Sequence, residues 1–231
     1  MTTTTSGATS GLERFSVTSA ADGLNALSTI EHLLKLDDVW TGYLTAVGGP
    51  DFDGGGIDFD GLLYLAGQMD ESISRTTEAA KQVEQLLEPL SNDAIVAGLV
   101  AIARDLPADS TGVIDWLVGD LGGISARGFL IASCEYVLRE RDAEQGVLSE
   151  KISHLEAREV PDADLRHPFR CALCLVGIGA AAALGAAALV STLGVAAVVG
   201  LGAASAASQT ILNWDKTGCG RGDARAAIAP A

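Results

Sequence analysis

The chain has 231 residues, 48% of them hydrophobic, and a formal net charge of −15. That length and composition allow one or two packed domains and exclude a disordered protein, while so acidic a body is no partner for nucleic acid, because phosphate contacts need clustered Lys and Arg. Twenty-eight of the thirty acidic residues and ten of the fifteen basic ones precede position 165, so a strongly acidic first part is followed by a short, slightly basic one with different expected partners.

Residues 1–11, with four threonines followed by Ser, Gly and Ala, have nothing to bury and read as a disordered tail. They contain neither a basic start nor an apolar h-region, so no secretion signal is visible and synthesis is expected in the cytoplasm. From Ala20 a helical period begins. Leu24, Leu27, Ile30, Leu34, Trp40 and Leu44 share a face, with a break expected near Asp37-Asp38 and a stop at Gly48-Gly49-Pro50. His32 stands alone on this helix and reads as a surface residue.

Asp51, Asp53, Asp58 and Asp60 cluster around glycines, which resembles half of a calcium loop entering its exit helix at Ile57. With Ile57 in that place, Asp51 and Asp53 fall one register out and Gly61 stands where the bidentate Glu belongs. A solvated, Gly-rich connector is therefore the expectation, and no metal is assigned.

Next, Leu62, Ala66, Met69, Ile73, Thr76, Ala80, Val83, Leu87 and Leu90 alternate steps of four and three. This is a coiled-coil-like seam and a candidate surface for self-association. Pro89 stops it, and Ser91-Asn92-Asp93 caps a helix carrying Ile95, Leu99 and Ile102. A short segment with Val113, Ile114, Trp116 and Leu117 ends at Gly122-Gly123. A long helix is then predicted from about Ser125 to Ala157, with Gly146 as a possible interruption and Cys134 an inert thiol on its apolar stripe. Residues 159–168, with two prolines, read as a linker between an acidic helical domain at 12–158 and a C-terminal unit at 169–231.

That unit contains the most distinctive stretch of the chain. Cys171 to Trp214 is forty-four residues without a charged side chain. One transmembrane helix needs roughly 20 apolar residues, so this length predicts two helical arms joined by a turn. Ser191 and Gly194 bound the turn, leaving arms Ala172–Val190 and Val195–Asn213, each about 28 Å long as a helix. Gly177, Ala181 and Gly185 on the first arm and Ala196, Gly200, Ala204 and Ser208 on the second recur every four residues. Such small-residue stripes let helix backbones approach closely, in lipid or in a soluble core. Arg158, Arg166 and Arg170 precede the stretch and Lys216, Arg221 and Arg225 follow it, which favours both ends on one side of a bilayer.

A hairpin also returns its ends to one place, so Cys219 could bond to Cys171 or Cys174 once outside the reducing cytosol. His167, Cys171, Cys174 and Cys219 have the ligand types of a Cys3His zinc site, but a single Cys-x-x-Cys knuckle opening an apolar helix favours the disulfide. The Arg-Gly-Asp at 221–223 is too short to carry weight. No nucleophile triad or phosphate loop is present, and the histidines at 32, 154 and 167 are scattered, so catalysis is not expected.

Cys171-Ala-Leu-Cys174, the Gly/Ala-rich apolar run, and Asn213-Trp-Asp-Lys-Thr-Gly-Cys-Gly220 followed by Asp223-Ala224 together resemble the halocin C8 type of bacteriocin. The resemblance covers about a quarter of the chain, with fewer cysteines than that family carries. It implies a hydrophobic, cysteine-bearing peptide released from the C-terminus of a precursor whose N-terminal part confers immunity. In arrangement the chain is also similar to pore-forming colicins, whose helical domains shelter a hydrophobic hairpin until it meets a membrane.

The expectation is thus an all-α protein whose hairpin inserts into or permeabilises a lipid membrane, without cofactor, and which is membrane-associated or secreted after processing. Two rivals stand beside it: a non-toxic anchor for a helical interaction domain, and a soluble helical protein with a buried hairpin.

Overall fold

A computed structural model describes residues 17–47, 56–104, 106, 111–119, 121–161 and 165–190, together with 210, 211, 214, 219 and 222. Among these the fold is all-α, with six helices and no strand. They are α1 (Val17–Val47), α2 (Phe59–Leu87), α3 (Asn92–Ala103), α4 (Gly112–Val118), α5 (Ala126–Glu156) and α6 (His167–Val190).

Local chemistry sets most of the helix ends. Asp58 caps α2 by accepting the Gly61 N–H at 2.8 Å, Ser91 caps α3 by accepting that of Ala94 at 3.2 Å, and Ser125 caps α5 by accepting that of Gly128 at 3.0 Å. Each side chain satisfies one of the donors a helix start leaves unpaired. The far end of α2 is closed by a cation from another helix. Arg127 donates from Nε to the Leu87 carbonyl at 3.0 Å and from Nη2 to that of Glu88 at 2.6 Å, where the helix dipole favours positive charge. The turn between α4 and α5 needs the left-handed backbone of Gly122 (φ 74°) and Gly123 (φ 90°).

Two expected interruptions are absent. α1 runs unbroken through Asp37-Asp38, and α5 runs unbroken through Gly146, because each continues to bury a stripe on both sides of the suspected break. A single glycine costs about 1 kcal/mol in a helix, which that burial outweighs.

Every residue of the α2 seam is buried within the chain. α2 packs mainly between α1 and α5, so the chain's own helices occupy the face whose spacing suggested self-association. Asp58 serves as a cap and Asp60 lies 3.5 Å from Arg158; Asp51 and Asp53 lie outside the described residues. α6 packs against α3, α5, α1 and α2, and a single apolar cluster extends from Ala20 on α1 to Cys219. The boundary that prolines and charge draw at 159–168 separates two stretches of sequence that share one core.

Candidate functional site

α6 is the site on which the reading of this protein turns. From Phe169 to Ala187 nineteen consecutive residues are buried, so the helix is covered on all sides. Among the described residues, His167–Leu189 is the single helix long and apolar enough to cross a membrane on its own. Ala and Gly make the close cover possible. A Cβ placed on Gly98 of α3 would overlap the Ala182 carbonyl oxygen of α6 and lie 2.8 Å from the Ala186 nitrogen, and one on Gly185 would lie 3.0 Å from the Gly98 oxygen. The two backbones therefore touch where two glycines meet. On another face, a Cβ on Gly179 would meet Leu87, Val83 and Leu130 at 3.4–3.6 Å, an ordinary contact.

The small-residue stripe of the first arm is divided between partners. Gly177 faces Thr210, where a Cβ would come within 2.7 Å of its methyl group, whereas Gly185 faces α3. Contact with the following apolar chain, expected along the whole stripe, is thus seen at Gly177. The turn residues Ser191 and Gly194 and the second stripe, Ala196, Gly200, Ala204 and Ser208, lie outside the described residues. Trp214 is buried and stacks on Trp116 of α4 at 6.0 Å between ring centroids, while Trp116 meets Phe129 edge-on at 5.1 Å.

The N-terminus of α6 is held by charge. Arg170, buried, pairs through Nη1 with Asp37 and through Nη2 with Asp38 of α1. Asp37 is fully buried and also accepts the Leu165 N–H at 3.1 Å. One turn before, Arg166 donates its backbone N–H to Glu144 of α5 at 2.7 Å and its Nε to the same carboxylate at 2.5 Å, with Glu140 at 3.5 Å. Burial works against the Arg166 charge, but the hydrogen bond and charge of Glu144, with Glu140, outweigh it and raise its pKa. Arg158, Arg166 and Arg170, read from the sequence as a collar beside a bilayer, each face a carboxylate of the acidic helices here.

Cysteine chemistry completes the clamp. Cys171 and Cys219 are bonded across 48 residues of sequence, with Cα atoms 5.7 Å apart. Of the two partners the sequence left open for Cys219, Cys171 takes it, and Cys174 is a buried free thiol. His167, one turn before Cys171, places Nδ1 3.8 Å from its sulfur. Cys134 on α5 is a buried free thiol whose pKa is raised by burial, then by Glu84 and Glu135, so it stays protonated and inert.

Sequence reasoning missed the clamp carboxylates. Asp37 falls on the apolar stripe seven residues from both Ile30 and Leu44, and Glu144 falls between Val137 and Leu148 on that of α5. A carboxylate in register with core positions was the available signal, since a charge is buried only where it is paired.

Comparison of the chain with protein-family models, with curated proteins and with solved structures found no match to any of the three.

Proposed function

We propose that the protein is bacteriocin-like and membrane-active: α6 and the apolar chain after it enter or permeabilise a lipid bilayer, and the acidic helices hold them in water beforehand. The observation that carries this reading is the enclosure of a span-length helix, uncharged from Cys171 onward, by acidic helices that pair with Arg166 and Arg170 at its start. An apolar helix of that length needs a hydrophobic host, and α1, α2, α3 and α5 supply one within the chain. Release costs the apolar contacts of α6 and leaves Asp37 without its guanidinium, so insertion into lipid must compensate both. The N-terminal part would then act as the soluble carrier, in the sense the colicin resemblance implies.

A second reading has its own support. The glycine-to-glycine backbone contact between α3 and α6 and the fully buried Asp37 are fits made only in the docked state, as expected of a helix that never leaves a soluble core. Dye release from anionic vesicles by the full chain separates the two. Arg170→Met weakens the clamp, so on the membrane-active reading it increases leakage above that of the unaltered chain. If Arg170→Met lowers thermal stability yet neither protein binds vesicles or releases dye, the soluble reading stands.

A further inference from the structure

His167 and Cys171 are four residues apart on one helix, hence one turn apart on one face, and Cys219 arrives beside both. A nitrogen of His167 and the sulfurs of Cys171 and Cys219 all lie within 4.8 Å of one another. Zn–S bonds of about 2.3 Å and Zn–N bonds of about 2.0–2.1 Å in a tetrahedron put ligand atoms about 3.5–3.8 Å apart. The observed His167 Nδ1 to Cys171 Sγ separation of 3.8 Å is at the upper end of that range, and the two sulfurs, bonded to each other here, part to reach it on reduction. Cys174 is outside the cluster, so the Cys-x-x-Cys knuckle is not the ligand pair.

We propose that His167, Cys171 and Cys219 form a clasp with two interchangeable states: a disulfide under oxidising conditions, and a zinc site when the bond is reduced. Reduction by a dithiol converts the disulfide to two thiols and leaves the reductant as its own disulfide. Zinc then binds both sulfurs and displaces their two protons. Two thiolates and a neutral imidazole around Zn2+ give a site of zero net charge, which suits two buried sulfurs. His167 is exposed, so the fourth position opens toward water, as in three-ligand zinc sites. The consequence is that the chain near Cys219 stays tied to the start of α6 in either redox compartment, with the bond changed and the tether kept. This inference does not depend on the membrane-active reading.

Cobalt(II) is the probe for a test on the full chain, reduced by a phosphine that is then removed without oxygen. The expected result is one equivalent of Co2+ bound with thiolate-to-cobalt absorption, displaced by Zn2+, and no binding by the disulfide form of the same protein. Cys174→Ser should leave the spectrum unchanged and Cys219→Ser should abolish it. His167→Ala, at an exposed position where folding is not at risk, should weaken binding by more than about tenfold, since even groups behind the ligands are commonly worth about 10–100-fold. Zn2+ should also shield two thiols of the reduced chain from alkylation. The proposal is overturned if the reduced chain binds no Co2+, or if the spectrum survives Cys219→Ser and is lost in Cys174→Ser.

Discussion

Gly98→Ala is a sharp test of how α6 is held. The added methyl would overlap the Ala182 carbonyl oxygen and lie 2.8 Å from the Ala186 nitrogen. Both are backbone atoms of a buried helix, so no side-chain rotation makes room and α3 must move away from α6. Overpacking costs typically 1–3 kcal/mol, and the rigid obstacle puts this case in the upper half, about 2–3 kcal/mol. Replacing glycine by alanine within a helix returns about 1 kcal/mol, leaving a net loss of about 1–2 kcal/mol. For a protein of this size, 1 kcal/mol shifts Tm by about 2–4 °C, so a fall of roughly 2–8 °C is expected in thermal unfolding followed by circular dichroism. Gly42→Ala on α1 is the matched control. A Cβ there meets nothing within 4 Å, and the same propensity argument predicts a gain of about 0.5–1 kcal/mol. If Gly98→Ala raised Tm as Gly42→Ala does, the close approach of α3 to α6 would be refuted, and with it the enclosure on which the functional reading rests.

Arg170→Met removes the guanidinium and leaves Asp37 buried, a change that costs about 3–5 kcal/mol when a buried pair loses one partner; urea unfolding should show it, and a loss below about 1 kcal/mol, typical of exposed pairs, would contradict the buried clamp. Cys219→Ser opens a covalent loop spanning 48 residues, for which chain entropy predicts a loss of about 4 kcal/mol, measured under oxidising conditions against the unaltered chain. Glu84 has a raised pKa, through burial first and then Glu135 and Glu88, so its ionised form is disfavoured more in the folded state than in the unfolded one. Above the folded-state pKa the folded protein bears the whole penalty; as pH falls the folded carboxyl protonates before the unfolded one, and the penalty is gone below the ordinary value of 4.5. Glu84→Gln should therefore raise Tm at pH 7 and lose that advantage below pH 4.5, and a gain that grew on acidification would contradict the assignment.

The helices were legible because their faces are repetitive. The α2 seam, the Ser91 cap and the stripe of Leu27, Ile30, Leu34 and Leu44 follow from periods and cap chemistry, which are local. What those faces meet is not local. The same spacing of Leu62 to Leu90 suits a second chain or the chain's own α1 and α5, and only the tertiary arrangement selects between them. For the same reason Asp37-Asp38 reads as a helix break until Arg170, more than 130 residues later, is placed beside it. The return of Cys219 toward the start of α6 was legible, since a hairpin brings its ends together. Its choice of Cys171 over Cys174 was not, because the two thiols are less than one helical turn apart and only their direction distinguishes them. Small residues at Gly98 and Gly185 carried least information of all, as glycine in an apolar helix announces a close approach without naming the partner.

The central claim is that an apolar C-terminal segment capable of acting on a bilayer is held in water by the acidic helices. The most direct measurement is dye release from anionic vesicles by residues 165–231 prepared alone, with and without residues 1–164 added back. The account predicts leakage by the C-terminal piece and its suppression by the N-terminal piece. Stable insertion without leakage would make the segment a membrane anchor, and the absence of any vesicle association by either piece or by the whole chain would contradict the claim outright.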